Sequence, residues 1–206
     1  MEGIEWRCAA HGAAASDEEK PMARIEMIGD KSQLSEDRYA EFDAIVAVLN
    51  RVGGPFSILM HSPGLAQKVM EAGAHIRLNS TLTMPERELI ILAVSREKDA
   101  VYEWASHVVT ARTVGTREEA ITAVRDRTAV SDLEPDERDI ITFVRQLLQT
   151  NRVDDGLFEE LLGRRGARWV VELTATIGQY QYIAAINNAF DVEPAAGAEL
   201  LPVDPR

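Results

Sequence analysis

Thr83-Met84-Pro85-Glu86-Arg87-Glu88-Leu89-Ile90-Ile91-Leu92-Ala93-Val94 is the stretch on which the fold turns. Thr83 followed three residues later by Glu86 is a capping box: a hydroxyl and a carboxylate satisfy the backbone N–H groups left free at a helix start. Leu89, Ile90, Leu92 and Ala93 then supply a buried stripe at helical spacing, so a helix is predicted through about Lys98. The next helix runs from Val101 to Val114, stops at Gly115, and contains Tyr102-Glu103-Trp104-Ala105-Ser106-His107.

Outward from this pair of helices the same signals recur. Phe42, Ile45, Val46 and Leu49 mark a helix over Asp37 to Val52, stopped by Gly53-Gly54-Pro55. A short turn, Phe56 to Met60, precedes Ser62-Pro63, which reads as the cap and first position of a helix to about Leu78. Thr116 with Glu119 repeats the capping signal for a short helix to about Asp126. Pro135 opens a helix to Thr150, and another covers Asp154 to Leu162. The last, about Ala167 to Phe190, carries Trp169, Val170, Leu173, Ile177, Tyr180 and Ala184 on one broad apolar face. No run alternates at period two, so the expected class is all-α.

Residues 1–35 are rich in Ala, Gly, Ser and charge and read as a flexible arm that orders only by docking. Residues 36–192 form the helical domain, and Pro194, Pro202 and Pro205 mark 193–206 as a loose tail. Leu82 to Ile91 also resembles Leu133 to Ile141 at an offset of 51, an echo consistent with internal duplication or with capping chemistry alone. In the helices that follow, Tyr102-Glu103-Trp104 rhymes with Tyr180-Gln181-Tyr182, and the second copy has no acid or His at the matching places.

The 206 residues suffice for one core, and 46% apolar with 27% charged residues is an ordinary globular balance. With 22 basic against 34 acidic side chains the net charge is −12, which argues against binding nucleic acid or anionic lipid. No run approaches 18 apolar residues and no signal peptide stands at the N-terminus, so the expected location is cytoplasmic. One cysteine, Cys8, excludes intrachain disulfides, CxxC redox chemistry and cysteine-rich zinc sites.

Glu103 and His107 are one helical turn apart and share a face, which Ala100 and Ala111 continue with small side chains that leave room for a pocket. On spacing alone the pair reads as a surface contact worth ~0.3–0.5 kcal/mol. If buried, the carboxylate raises and orients the imidazole as a general acid or base. A metal site with Glu88 as a third donor ranks below this, because the strong helical zinc motif brings two His. Glu88 taken alone reads as an exposed carboxylate near a helix start. Tyr102 and Trp104 read as packing residues, with the Tyr102 hydroxyl a possible substrate contact. Asn187 and Asn188 are plausible pocket residues, and His11, His61 and His75 are weaker candidates. No phosphate-cradling loop is visible.

At Pro85 to Val94, Tyr102 to His107 and Gly115 to Ile121 the chain resembles the carboxymuconolactone decarboxylase family, which includes the alkyl hydroperoxidase D-like proteins. The resemblance implies a single-domain helical bundle assembled as a homotrimer or homohexamer. The family's peroxidase branch uses Cys-x-x-Cys-x-x-x-His and a Glu on the preceding helix. With its His laid on His107, the two thiol positions fall on Ala100 and Glu103, and the Glu falls on Glu88. Disulfide-based peroxidase activity is therefore not expected. The decarboxylase branch uses no cysteine pair and implies acid/base chemistry, without a cofactor, on a small carboxylated or lactone-type substrate. His107, Glu103 and Glu88 are then the catalytic candidates. The alternatives are a metal-dependent hydrolase or oxygen-using enzyme with the same ligands, or a non-catalytic oligomeric binding protein.

Overall fold

A computed structural model describes residues 23–203, and among them every regular element is helical. In chain order the helices are α1 (Tyr39–Leu49), α2 (Pro55–Leu59), α3 (Pro63–Asn79), α4 (Met84–Glu97), α5 (Val101–Thr113), α6 (Glu118–Arg125), α7 (Pro135–Thr150) and α8 (Asp155–Phe190). Among the described residues no helix is long and apolar enough to cross a membrane.

The molecule is organised around α4. Its six consecutive residues Leu89 to Val94 are each at most 2% exposed, because α5, α6, α7 and α8 all pack on it. Over residues 87–95 the helix has no solvent face, so the polar residues there are buried with the rest. That corrects the expectation for Glu88, which is 3% exposed, and Arg87 beside it is 2% exposed. The main core joins α4 to Trp104 and Val108 of α5, Ile121 of α6, Ile141 and Phe143 of α7, and Trp169, Leu173 and Ile177 of α8. A second core joins Phe42 and Ile45 of α1, Ala66 and Met70 of α3, and Ile183 of α8.

The Thr83–Glu86 capping box forms in both directions. The other caps differ from the expectations. Ser62 makes no side-chain cap bond, and Thr116 donates to the Pro85 carbonyl while Arg117 takes the cap position of α6. The stretch read as a turn at 56–60 is the short helix α2, begun by Pro55 after Gly54 at φ 54°. The split expected between 162 and 167 is a kink in α8 at Gly166, at φ 82° and ψ 161°, a region essentially restricted to glycine.

Both ends of the described segment lie on the bundle. In the segment read as an arm, the described part docks on the chain's own helices: Ile28 is buried and bonds Ser57, and the Arg24 N–H donates to the Phe190 carbonyl. Residues 1–22, including Cys8 and His11, lie outside the described residues. In the tail Leu201 is buried, Glu199 pairs with Arg112, and Arg96 donates to the Pro202 carbonyl.

Candidate active site

Glu88 projects from the first half of α4 toward α5, where His107 stands one turn beyond Glu103. His107 Nδ1 donates to Glu88 Oε2 at 2.7 Å, and His107 Nε2 faces Glu103 Oε2 at 3.5 Å. The three candidates therefore form one chain of polar groups, carboxyl–imidazole–carboxyl. They are buried to different degrees. The side chains of Glu88 and Glu103 are 4% and 5% exposed, whereas that of His107 is 18% exposed, so the imidazole is the member that reaches solvent.

Each member is held from a second side. Arg87 Nε lies 3.6 Å from Glu88 Oε1, and Arg87 Nη1 donates to the Arg77 carbonyl. Asn187 Nδ2 donates to Glu103 Oε1 at 2.7 Å from the end of α8, while Asn187 Oδ1 is buried without a hydrogen-bond partner among the described residues. The Tyr180 ring meets the imidazole edge to face, with centroids 5.4 Å apart.

These surroundings drive the two carboxyls apart. For Glu88, burial raises the pKa, but the His107 charge and hydrogen bond, helped by Arg87, outweigh it and hold the group below its ordinary value. Burial is also the largest influence on Glu103, and there His107 and Asn187 offset it only in part, leaving its pKa raised. Burial lowers His107, yet the Glu88 charge and hydrogen bond, with Glu103 adding, lift it above an ordinary imidazole. Burial pushes the Tyr180 phenol up as well, so it keeps its proton. One carboxylate is thus biased toward the charged form and its neighbour toward the protonated form, with an imidazolium-favouring His between them. That division equips a site for proton transfer near neutral pH.

The other candidates fall elsewhere. The Tyr102 hydroxyl packs on Gly54, where an added Cβ would lie 2.1 Å from it. Trp104 is a fully buried core residue. Asn188 donates to the Lys98 carbonyl, His61 contacts the Glu26 carbonyl, and His75 is exposed. The room expected beside Ala100 and Ala111 is filled, since both are 0% exposed. A groove of about 260 Å³ lies on another face, lined by Lys98, Leu148, Asn151, Thr174 and Gln181 among others. Among the described residues no group of three or more His, Cys, Asp or Glu side chains is arranged to hold a metal ion.

Sequence reasoning passed over Arg77 and Arg87, and it placed Tyr180 only on an apolar face. The available signal was the apolar run after Glu88: six buried residues in a row imply a central helix, and Arg87 and Glu88 sit just before it.

Residues 63–146 match the model of the carboxymuconolactone decarboxylase family. No curated protein matches the chain in sequence. Among solved structures, the chain is similar to an alkylhydroperoxidase AhpD core, an uncharacterized peroxidase-related protein from Ralstonia eutropha, with 18% identity and a TM-score of 0.70 over 86% of this chain and 95% of that one. An uncharacterized peroxidase-related protein from Silicibacter sp. gives 16% identity and a TM-score of 0.68 over 89% and 96% of the two chains. The debrominase Bmp8 in complex with 2,3,4-tribromopyrrole gives 15% and 0.63 over 86% and 95%. At such identities the likeness speaks for the fold. Residues 63–146 are thus similar to the carboxymuconolactone decarboxylase family, and the helices around them take an alkylhydroperoxidase D-like fold.

Proposed function

We propose that the chain is an enzyme, a decarboxylase-like acid/base catalyst acting on a small carboxylated or lactone-type molecule. The observation that carries this reading is the imidazole of His107, fixed at Nδ1 by buried Glu88 and facing Glu103 through Nε2. When a carboxylate next to a conjugated carbonyl departs as CO2, its electron pair passes into an enolate. His107 Nε2–H gives that enolate its proton; the neutral imidazole left behind keeps its Nδ1–H on Glu88, whose charge favours its reprotonation from solvent. Glu103, biased toward its protonated form by burial, is the second acid on the same nitrogen.

Self-association as a trimer or hexamer belongs to the same proposal. Leu78, Val109 and Val171 are each more than half exposed, and such an assembly gives them a surface to cover. Size-exclusion chromatography with light scattering tests this; a monomer at micromolar concentration would refute it.

The test of activity is to assay His107→Ala and Glu103→Gln separately for decarboxylation across a panel of carboxylated lactones. The expected result is a loss of ~10²-fold or more in kcat for His107→Ala. Unchanged turnover in both variants would overturn the assignment.

A further inference from the structure

Arg77 stands on α3 beside the site and has no role in the acid–imidazole–acid chain. Its main chain is fixed there, because its carbonyl accepts from Arg87, the residue that flanks Glu88. Its guanidinium lies back along α3 toward Gly73. A Cβ added at Gly73 would be 3.9 Å from Arg77 Nη2 and 3.3 Å from Gln179 Nε2 of α8. The residue after Gln179 is Tyr180, which meets His107 edge on. The charge of Arg77 is felt at Glu103, His107 and Tyr180.

The guanidinium is part-buried, yet among the described residues it makes no hydrogen bond and no ion pair. Other enclosed arginines of this chain have a carboxylate: Arg87 has Glu88, Arg96 has Asp99, Arg145 has Glu97 and Arg165 has Glu86. Within the site the charge of Glu88 is already matched by His107 and Arg87. A guanidinium on the helix that flanks the site, with no partner among the described residues, is a recognition group awaiting an anion.

We propose that Arg77 is a specificity-determining residue that receives a carboxylate of the substrate through its planar fork and orients the reacting carbon toward His107. The inference rests on the acid/base reading of His107. The bound carboxylate is one that stays on the molecule. A guanidinium clamped on the departing carboxylate would stabilise the ground state more than the transition state and slow the reaction.

The test uses the full chain with benzoate and benzamide as probes, a matched pair that differs in charge. Binding is followed by ligand-observed NMR and by the ring resonances of His107. The wild type is expected to bind benzoate ~10- to 100-fold more tightly than benzamide. Arg77→Gln is expected to weaken benzoate to the level of benzamide. Arg77→Lys, which keeps the charge without the fork, is expected to fall between them, and it serves as the second variant should Arg77→Gln not fold. With substrate, Arg77→Lys raises KM more than it lowers kcat. His107→Ala keeps its benzoate affinity, so lost turnover there and lost anion binding at Arg77 are separate readouts. If His107→Ala retains turnover, the acid/base reading fails while the anion site stands. Benzoate affinity within twofold of wild type in Arg77→Gln, or no preference for benzoate over benzamide in the wild type, overturns the proposal.

Discussion

The same substitution at the two carboxyls of the site is expected to change stability in opposite directions. Glu88→Gln removes the charge that pairs with His107 at 2.7 Å and leaves Arg87, 2% exposed, facing an amide. Two unit charges about 4 Å apart at a protein-like effective dielectric attract by ~4 kcal/mol, and breaking a buried pair from one side costs ~3–5 kcal/mol. Because His107 can escape by losing its proton, we expect about 2–3 kcal/mol. The pH dependence follows from the directions of the shifts. Glu88 is lowered in the folded state, so its contribution is present above the reference value of 4.5 and is lost as pH falls through its folded value. His107 is raised, so its contribution is fully present below 6.5 and is lost as pH rises through its folded value. The penalty of Glu88→Gln should therefore be largest between these two reference values and shrink on the alkaline side. Glu103 is raised by burial, so ionising it costs stability as pH rises through its folded value. Glu103→Gln removes that cost while its side-chain carbonyl still accepts from Asn187, so this variant should gain about 1 kcal/mol at alkaline pH. Urea unfolding of both variants from pH 4 to 9 at fixed protein concentration, with NMR titration of His107, checks the pattern. Equal losses in the two variants, or a His107 titration unmoved by Glu88→Gln, would refute the reasoning.

Three further outcomes are expected. Gly54→Ala should cost about 2–4 kcal/mol, since the new Cβ lies 2.1 Å from the Tyr102 hydroxyl at φ 54°, and thermal unfolding with Tyr102→Phe as a partial rescue checks it. Gly166→Ala should cost about 1–3 kcal/mol through backbone strain alone, because an added Cβ meets nothing within 4 Å; unchanged stability would mean the kink tolerates a side chain. Burial raises Glu172, but its bonds from the Thr81 hydroxyl and N–H and from Arg168 hold it down to about 2. Its contribution is present above 4.5 and disappears as pH falls toward 2, so Glu172→Gln should lower stability by about 1–3 kcal/mol at neutral pH and flatten the acid limb of a pH–stability curve.

The helical class and most element boundaries were legible because capping residues, prolines and apolar periodicity are local signals. Thr83 with Glu86, Pro135, and the break near Gly166 each act within a few residues of themselves. The site was legible in part. The spacing of Glu103 and His107 is also local, whereas the burial that separates an enclosed pair from a surface contact depends on α4 and α8 closing over α5. Glu88 read as exposed because a single helix shows two faces, and only four neighbours packed around α4 remove the outer one. Arg77 and Asn187 lie 30 and 80 residues from His107 and carry no pattern that ties them to it. Tyr102 shows the converse: its hydroxyl suggested a ligand contact, and the close approach to Gly54 that occupies it comes from a turn 48 residues away.

The offset of 51 that sets Leu82–Ile90 against Leu133–Ile141 also sets Glu88 against Asp139. Both acids are buried, at 3% and 4% exposure, and each takes a cation from a following helix. For Glu88 it is His107; for Asp139 it is Arg164, at 2.6 Å, with Arg138 at 3.0 Å. One molecule thus holds two versions of a single motif, differing in whether the cation can surrender its charge within the physiological range. The cation of the α7 version keeps its charge at any physiological pH, while that of the α4 version can give up its proton. Replacing His107 by Arg would turn the second into the first.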